Sequence, residues 1–382
     1  MEQIEELLSR FIGYPTISED SNLPLIADLA ERLEHVGAKV ELFPDETGEK
    51  ANLFATLGPD ADGGIVLSGH SDVVPVAGQN WSSDPFRMEP RDERLYGRGT
   101  CDMKGFIACC MAMAPEFAEL DLKRPLHFAI TYDEETGCFG AQALAKILAA
   151  KQTRPSVALV GEPTMMKVID GHKGCHEYTT YFNGLAGHGS APAKGVNAVE
   201  YAARYVSRLI YLQAQLQARA PKDCRFDPPW ITISVGGLHG GVAHNVIPNV
   251  ARVEWDFRPV QSSDKSYVQS ELQRYCHEDL LPKMRAVFAD AEINTEVIGE
   301  VEGLMPAEPN EAREIVMSLT GANSTETVAF GTEAGIFQSL GMSVVVCGPG
   351  SIDQAHKADE YVEREQLALC IKMLDGLKAT LT

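Results

Sequence analysis

The sequence predicts an α/β fold in which helices cover a mostly parallel central sheet and a smaller α+β domain is inserted into the chain. Three observations support this prediction. Short apolar runs alternate with helical patterns in both outer parts of the chain, the pattern changes in the middle, and 382 residues suffice for two or three domains. We expect the larger domain to comprise residues 1–175 and 291–382, and the inserted domain to comprise residues 176–290.

Four short runs are interpreted as strands covered on both faces, because their apolar residues are continuous rather than alternating. These runs are Ile65–Leu67, Leu126–Ile130, Val157–Val160 and Val344–Cys347. Helical patterns lie between them, for example over residues 23–36 and 105–120, and Gly37 is a typical stop for the first. Strands that alternate with helices in this way are typical of parallel sheets.

The middle of the chain has the pattern of a small α+β domain. Strands are predicted at residues 177–182 (EYTTYF), 231–237 (ITISVGG) and 250–258 (VARVEWDFR). The last of these alternates apolar and polar residues, as a half-exposed antiparallel strand does. Helices are predicted over residues 198–218 and near 267–286, and the α/β pattern resumes around residue 295.

The composition excludes several kinds of partner. The chain carries 33 basic and 54 acidic side chains, a net charge of −21, whereas nucleic acids and anionic membranes bind basic surfaces. The N-terminus MEQIEELLSRFIGYP is not a signal peptide, and no apolar run approaches the roughly 18 residues of a membrane span. The nine cysteines are scattered without a C-x-x-C motif. We therefore expect a cytoplasmic protein with reduced thiols that binds neither nucleic acid nor membrane.

Polar side chains that suit a metal site follow the predicted strands, at the end where open α/β sheets bind ligands. They are two histidines and several carboxylates: His70 and Asp72, Glu134 and Glu135, Glu162, His356, and Asp102 in the loop GRGTCDMKG. Imidazole with carboxylate is the ligand set of zinc and its neighbours. Asp72 is well placed to accept the second ring N–H of His70. The set indicates a hydrolase that uses metal-activated water.

Other chemistries have weaker support. The loop GRGTCD begins like the dinucleotide-binding loop of an oxidoreductase but has Asp102 where the third glycine belongs. The sequence contains neither a phosphate-binding loop nor a G-x-S-x-G nucleophile elbow, and nothing singles out Cys101 as a nucleophile. A non-catalytic, metal-stabilised dimeric binding protein stays open as an alternative of another class.

The motif series GHSDVVP, GRGTCDMKG, YDEETG, GEPT, GHGSAP, HNVIPN and DFRP resembles the dinuclear zinc aminoacylase and carboxypeptidase family over nearly the whole chain. This resemblance implies a zinc-peptidase-like catalytic domain, an inserted domain that serves in dimerisation and as a lid, and a homodimer. It also implies two divalent metal ions per subunit, zinc by preference with cobalt as a substitute.

The resemblance assigns metal and catalytic roles residue by residue. Asp102 bridges the two metals, with His70 and Glu162 on one and Glu135 and His356 on the other. Glu134 is the general base that takes a proton from water and delivers it to the leaving amine. The catalytic set consists of Glu134, Asp72 and His188. His188 reaches across from a partner subunit and donates to the negatively charged intermediate.

The resemblance also implies a substrate site. Arg258 holds the α-carboxylate of the substrate with its two-pronged guanidinium, assisted by Asn245. Glu333 either pairs with the side-chain ammonium of the substrate or has a structural role.

Within the family, the segments HKG, GVNAVE, GTEAG and GPGSIDQAHKADEYV are most similar to members that hydrolyse N-acetyl-L-ornithine to L-ornithine and acetate in arginine biosynthesis. We therefore expect N-acetyl-L-ornithine, a small N-acyl amino acid, as the substrate. The alternatives are N-acetylcitrulline, succinyl-diaminopimelate and the substrates of a dipeptidase or carboxypeptidase. Glu134 and His188 count against the non-catalytic alternative, because neither is needed merely to hold metal.

Overall fold

A computed structural model of the protein describes residues 1–261 and 263–382. These residues form two compact units. The first, called the large unit, comprises Met1–His172, Pro306–Thr327 and Thr332–Thr382. The second, called the small unit, comprises Lys173–Met305 and Val328–Gly331.

The helices, in chain order, are α1 Glu2–Ile12, α2 Leu23–His35, α3 Lys104–Ala118, α4 Phe139–Ala150, α5 Ala198–Ala218, α6 Asp264–Tyr275, α7 Leu281–Arg285, α8 Glu311–Thr320, α9 Ala334–Ser339 and α10 Arg364–Leu381. The strands are β1 Lys39–Pro44, β2 Ala51–Leu57, β3 Ile65–His70, β4 Glu89–Arg91, β5 Arg94–Tyr96, β6 Leu126–Thr131, β7 Val157–Pro163, β8 Ile169–His172, β9 Cys175–Asn183, β10 Gly187–His188, β11 Thr232–Gly240, β12 Val246–Ile247, β13 Val250–Arg258, β14 Glu292–Val301, β15 Glu326–Val328, β16 Ser343–Gly348 and β17 Tyr361–Glu363. A short 3-10 helix, Pro192–Lys194, precedes α5, and a π-helical turn, Cys276–Leu280, joins α6 to α7.

The large unit is built on a sheet with the strand order β1-β2-β6-β3-β7-β16-β8-β15. Its four central strands β6, β3, β7 and β16 are parallel, while β1, β2 and β8 pair antiparallel with their neighbours. Each predicted apolar run forms one of the central strands, and β3, β6 and β7 are buried at every position. The predicted fold class, a mostly parallel sheet covered by helices beside a smaller sheet unit, is confirmed.

Close contact between helix and sheet sets the core of the large unit. Phe106 of α3 lies directly against β7, where a Cβ on Gly161 would fall 2.0 Å from the Phe106 ring. Apolar side chains of α1, among them Leu8 and Phe11, are fully buried in the same core. Because α3 starts at Lys104, two residues after Asp102, its packing on the sheet also fixes where the loop GRGTCD ends.

The small unit is an antiparallel sheet with the strand order β11-β13-β9-β14, packed against α5 and α6. Its core contains Tyr205 and Leu209 of α5, and Trp255 and Phe257 of β13. The side chains of β13 alternate between buried and more exposed positions, as its sequence pattern predicts.

The small unit ends later than residue 290, the end expected from the sequence. The strand β14 covers residues 292–301 and pairs with β9 along its length, so the chain stays in the small unit up to Met305. The expected return of the α/β pattern near residue 295 falls within this strand. The difference arises because the hydrogen-bond partner of an isolated strand is decided by residues far away in the chain.

All nine cysteines lie in the described residues and are free thiols, most of them buried. Across residues 1–261 and 263–382, none of the helices combines the length and the apolar character that a membrane crossing requires.

Candidate metal centre

The carboxyl ends of the central strands bring the predicted ligands together in the large unit. His70 is the last residue of β3, Glu135 lies in the turn after β6, and Glu162 lies near the end of β7. Asp102 precedes α3, and His356 lies in the loop between β16 and β17. Parallel strands place their carboxyl ends at one edge of the sheet, so residues far apart in sequence meet there.

Two groups of side chains share Asp102. In the first, His70 Nε2 lies 3.0 Å from Asp102 Oδ1 and 3.8 Å from Glu162 Oε1. In the second, His356 Nε2 lies 3.2 Å from Asp102 Oδ2 and 2.9 Å from a Glu135 oxygen. Within each group the possible ligand atoms all lie within 4.8 Å of one another. Each oxygen of Asp102 therefore faces a different histidine.

The pKa values of these side chains are shifted because several acidic groups lie close together and are largely buried. Burial raises the pKa of Glu162 well above its usual value, and the charge of Asp102 raises it further. Burial and Asp102 also raise the pKa of Glu135 to about 7. Hydrogen bonds to Asp102 and Glu135 raise the pKa of His356 to about 10. Clustered carboxylates around two imidazoles fit a pair of divalent cations, which would supply the missing positive charge.

His70 and Asp102 hold each other in charged forms. Burial lowers the pKa of His70, but the hydrogen bond to Asp102 and the charge of Glu162 outweigh it, so that pKa lies well above its usual value. Burial raises the pKa of Asp102, but hydrogen bonds from His356 and His70 hold it well below its usual range. Asp102 thus stays a carboxylate with an oxygen for each of the two groups.

Asp72 contacts His70 through a different atom from the one predicted. His70 Nδ1 lies 2.9 Å from the main-chain carbonyl oxygen of Asp72, whereas the nearest carboxylate oxygen is 3.6 Å away. The carboxylate instead accepts the hydroxyl of Ser18 and the main-chain N–H groups of Glu134 and Glu135, at 2.7, 3.1 and 3.3 Å. Asp72 therefore orients the His70 ring with its backbone and holds the turn that carries two further site residues.

The acidic run Asp133-Glu134-Glu135 lies on the turn that follows β6. β6 ends at Thr131, and the N–H groups of Gly137 and Cys138 donate to the carbonyl of Glu134. Asp133 has a left-handed backbone, with φ of 54°, and its carboxylate accepts the ammonium of Lys50 at 2.7 Å. Asp133 is thus partly exposed and paired with Lys50, whereas its two neighbours lie beside the candidate metal groups.

Glu134 is partly buried beside the two groups. Its Oε1 lies 3.5 Å from the thiol sulfur of Cys138. Burial raises the pKa of Glu134 well above its usual value; the charge of His70 lowers this pKa, and that of Glu135 raises it. A carboxyl with a raised pKa next to a candidate metal site is suited to accept and release a proton.

Glu333, predicted to contact the substrate or to be structural, is fully buried at the start of α9. Its two carboxylate oxygens accept the hydroxyls of Ser68 in β3 and Thr131 in β6, at 2.6 and 2.7 Å. Burial raises its pKa despite these two hydrogen bonds. In this position Glu333 links two central strands close to His70.

The small unit carries the other predicted residues. His188 is exposed, its Nδ1 lies 2.8 Å from the Ser190 hydroxyl, and the N–H of Gly189 donates to the carbonyl of Asn245. Arg258 lies at the last position of β13, and its Nε donates to Asp256 at 3.2 Å. The small unit therefore brings His188 and Asn245 together, but it places Arg258 at the opposite end of β13 from them.

Sequence reasoning missed two charged residues of the site region, Arg98 and Glu360. Both have 1% of their surface exposed, and Arg98 Nη1 donates to Glu360 Oε2 at 2.7 Å. Both lie in the quoted segments GRGTCDMKG and GPGSIDQAHKADEYV, beside Asp102 and His356. Their nearness to predicted ligands was the available signal.

Comparison with known proteins agrees with this geometry. The chain is 35% identical over 365 residues to acetylornithine deacetylase of Shigella sonnei (strain Ss046), which covers 94% of this chain and 92% of the relative. The fold resembles the M20 family metallo-carboxypeptidase Sso-CP2 of Sulfolobus solfataricus, with a TM-score of 0.77, 17% identity and 99% of both chains covered.

A second solved structure, the YXEP protein of Bacillus subtilis, is described as a dinuclear metal binding peptidase of the M20 family. It matches with a TM-score of 0.67 and 14% identity over 100% of this chain and 98% of that one. Residues 66–378 match the family described as Peptidase family M20/M25/M40. The side-chain groups that share Asp102 between two histidines agree with these matches. The family match and the Shigella relative show that the chain belongs to the M20/M25/M40 family and is a metallohydrolase.

Proposed function

We propose that the protein is a dinuclear metal-dependent amidohydrolase that converts N-acetyl-L-ornithine to L-ornithine and acetate. The observation that carries this proposal is Asp102, whose two oxygens each face a different histidine in the two candidate metal groups. The relative from Shigella sonnei, acetylornithine deacetylase, supports the substrate at 35% identity.

The residues divide the metal binding between them. His70, Asp102 and Glu162 would hold one cation, and Asp102, Glu135 and His356 a second. Nitrogen and oxygen ligands of this kind suit zinc, with cobalt as a substitute, and the Bacillus subtilis protein of the same fold is named as dinuclear. Bound divalent cations lower the pKa of a water ligand and polarise an amide carbonyl.

Glu134 is the proposed general base. It accepts the proton of the attacking water on its carboxylate and then donates that proton to the leaving nitrogen. Because the carboxylate of Asp72 accepts the N–H groups of both Glu134 and Glu135, the base and a proposed ligand are held on one rigid turn. The pairing of Asp133 with Lys50 keeps that neighbouring charge away from the reacting groups.

Arg258, His188 and Asn245 are the proposed substrate contacts. A strand rises about 3.3 Å per residue, so Val250 and Arg258 at the two ends of β13 are about 26 Å apart. An acylated amino acid is too short to touch both ends within one chain. This separation supports the proposal that Arg258 acts in one protomer while His188 and Asn245 come from the small unit of a second, in a homodimer.

We also propose that the enzyme works in the cytoplasm. The nine cysteines are free thiols, and reduced cysteines are typical of proteins in that compartment.

The test is steady-state turnover of N-acetyl-L-ornithine by protein reconstituted with zinc. N-succinyl-diaminopimelate and N-acetylcitrulline are measured beside it, and Glu134→Gln is the control for the base. We expect acetylornithine to be preferred, and kcat to fall about 100- to 10,000-fold in Glu134→Gln, as for loss of a general base. Metal content of the variant, measured by mass spectrometry, stays at the wild-type level because Glu134 is not a proposed ligand.

Preferred turnover of another acylated amino acid would replace the substrate and keep the mechanism. Unchanged kcat in Glu134→Gln would remove the proposed base. If fully metal-loaded protein turned over none of the three compounds, the acetylornithine assignment would be abandoned.

A further inference from the structure

A buried charged residue outside the proposed ligand set holds the loop that carries the bridging carboxylate. Glu360 accepts four N–H donors from the segment 98–102. Its Oε2 accepts Arg98 Nη1 at 2.7 Å and the N–H of Gly99 at 3.0 Å, and its Oε1 accepts the N–H groups of Cys101 and Asp102 at 3.0 and 3.2 Å. The main chain of Asp102 is thus hydrogen-bonded directly to Glu360.

The same network reaches the backbone of His356. Arg98 Nη1 also lies 3.3 Å from the carbonyl of Lys357, and Arg98 Nη2 donates to Gln79 Oε1 at 2.7 Å. Gln79 Nε2 in turn donates to the carbonyl of His356 at 2.9 Å. One chain of hydrogen bonds therefore connects the backbone of Asp102 with that of His356.

The loop at His356 needs such support because its backbone is strained. His356 and Asp359 have φ angles of 62° and 56°, in the left-handed region that is unfavourable for residues other than glycine. Such conformations persist where surrounding contacts fix them. Gln79 contacts the carbonyl of His356, and Arg98 contacts that of the next residue, Lys357. Ser82 supplies two contacts to Asp359 through its N–H and hydroxyl, both at 2.9 Å from Asp359 Oδ1.

Charge balance explains how a further carboxylate can lie so close to an acidic centre. Glu360 and Arg98 form an ion pair in which both side chains have 1% or less of their surface exposed. The Trp81 ring lies 5.1 Å from the Arg98 guanidinium and adds a cation–π contact. The pair is neutral as a whole, so it adds directed hydrogen bonds without adding net negative charge to the candidate metal centre.

We propose that Glu360, acting with Arg98 and Gln79, is a positioning residue that sets Asp102 and His356 at the distance needed to share a cation. The proposal rests on the proposed metal-dependent function, and it adds residues to which neither the sequence motifs nor the comparisons give a role. Groups that orient ligands from behind typically change metal affinity about 10- to 100-fold when they are replaced.

The test compares Glu360→Gln with Glu363→Gln in metal-free protein titrated with zinc against a chromophoric chelator, without substrate. In Glu360→Gln an amide NH₂ replaces one carboxylate oxygen. This group is a donor and cannot accept the N–H groups that face it, so the loop cannot keep all four hydrogen bonds. We expect zinc affinity at one position or both to fall about 10- to 100-fold, with the circular dichroism spectrum unchanged. Glu363 pairs with Arg94 at the surface of the neighbouring strand, and its variant is expected to bind zinc as the wild type does.

Gln79→Leu is the second variant, and it decides the matter if Glu360→Gln fails to fold. It removes the hydrogen bonds to Arg98 and to the His356 carbonyl, so we expect weaker zinc binding at the position that includes His356, with an altered visible spectrum of the cobalt-loaded protein. The proposal would be overturned if folded Glu360→Gln bound zinc with wild-type affinity, even if its melting temperature fell. If Glu360→Gln does not fold, wild-type zinc affinity in Gln79→Leu would overturn it. Because no substrate is present, a failure here is distinct from a failure of the acetylornithine assignment.

Discussion

At the scale of single residues, acidic side chains in and near the candidate metal centre differ in the groups that surround them. Asp102 is a carboxylate whose two oxygens face two different histidines. Asp133, two residues beyond β6, forms an ion pair with Lys50. Glu333 is buried, and its carboxylate accepts the hydroxyls of Ser68 and Thr131. Three acids in one region thus have three different environments, which their sequence neighbours do not reveal.

His127 gives a prediction about pH at this scale. Its side chain in β6 is buried, stacks on Phe54 at 4.9 Å and lies 2.9 Å from the Thr56 hydroxyl through Nδ1. Burial, and to a smaller extent the charge of Lys151, lower its pKa to about 4. Because the unfolded chain binds this proton near pH 6.5 and the folded chain only near pH 4, stability present above pH 6.5 is lost as the pH falls through this range.

We expect His127→Phe to lose less stability between pH 7 and pH 4 than the wild type, by on the order of 2–3 kcal/mol. The measurement is urea unfolding of the metal-free proteins at both pH values. His35→Gln, at an exposed position on α2, is the control and should follow the wild type. Equal losses in His127→Phe and the wild type would show that His127 does not contribute to the acid limb.

At the scale of elements, the site depends on the close approach of β7 and β16. A Cβ on Gly348, the last residue of β16, would lie 2.0 Å from the carbonyl oxygen of Gly161 and 2.6 Å from that of Glu162. Backbone atoms cannot move aside as flexible side chains do. Glycine at this position therefore allows the strand that precedes His356 to lie directly beside the strand that carries Glu162.

Gly348→Ala is predicted to lower the free energy of unfolding by about 3 kcal/mol or more, because the added methyl forces the two strands apart. Chemical unfolding of metal-free protein measures the change. Gly236→Ala is a matched control in β11, since the nearest atom to its added Cβ lies 3.7 Å away. Similar stabilities of the two variants would contradict the argument from strand contact.

At the scale of the whole molecule, the net charge of −21 means that the folded protein repels itself. Salt screens charges over about 10 Å at 0.1 M ionic strength, so added salt weakens repulsion across the surface more than contacts in the buried centre. The exposed ion pairs oppose this trend only slightly, because each contributes little.

The melting temperature of the metal-free protein is accordingly expected to rise by several degrees between 10 and 300 mM sodium chloride. Differential scanning fluorimetry at constant pH measures it, with sucrose at equal osmolality as the control for general solvent effects. A constant or falling melting temperature would show that surface ion pairs outweigh the net charge.

The sequence predicts the elements and the candidate ligands well where the information is local. Continuous apolar runs identify β3, β6, β7 and β16, and polar residues directly after them include the histidines and carboxylates that the structure brings together. Pairing is not local: β14 joins β9, from which it is separated by more than 100 residues, and so extends the small unit to Met305.

Individual atoms are also beyond what a sequence pattern defines. The spacing of His70 and Asp72 predicts a contact, but the turn geometry gives it to the carbonyl and not to the carboxylate. Arg and Glu are residue types that usually lie at the surface. Arg98 and Glu360 are 262 positions apart in the sequence, and only the tertiary fold buries them as a pair. Family resemblance supplied the roles of His188 and Arg258, whose surroundings in the small unit would not have revealed them alone.

The order of the proposed ligands along the chain has a consequence for protein synthesis. His70, Asp102 and Glu162 all precede residue 173, so a nascent chain that has left the ribosome this far carries the first group complete. The second group lacks His356 until that residue has been synthesised, long after Glu162, and Glu360 emerges later still. A product that stops before β16 would therefore retain only the first group, and its metal content would distinguish it from a chain that carries both groups.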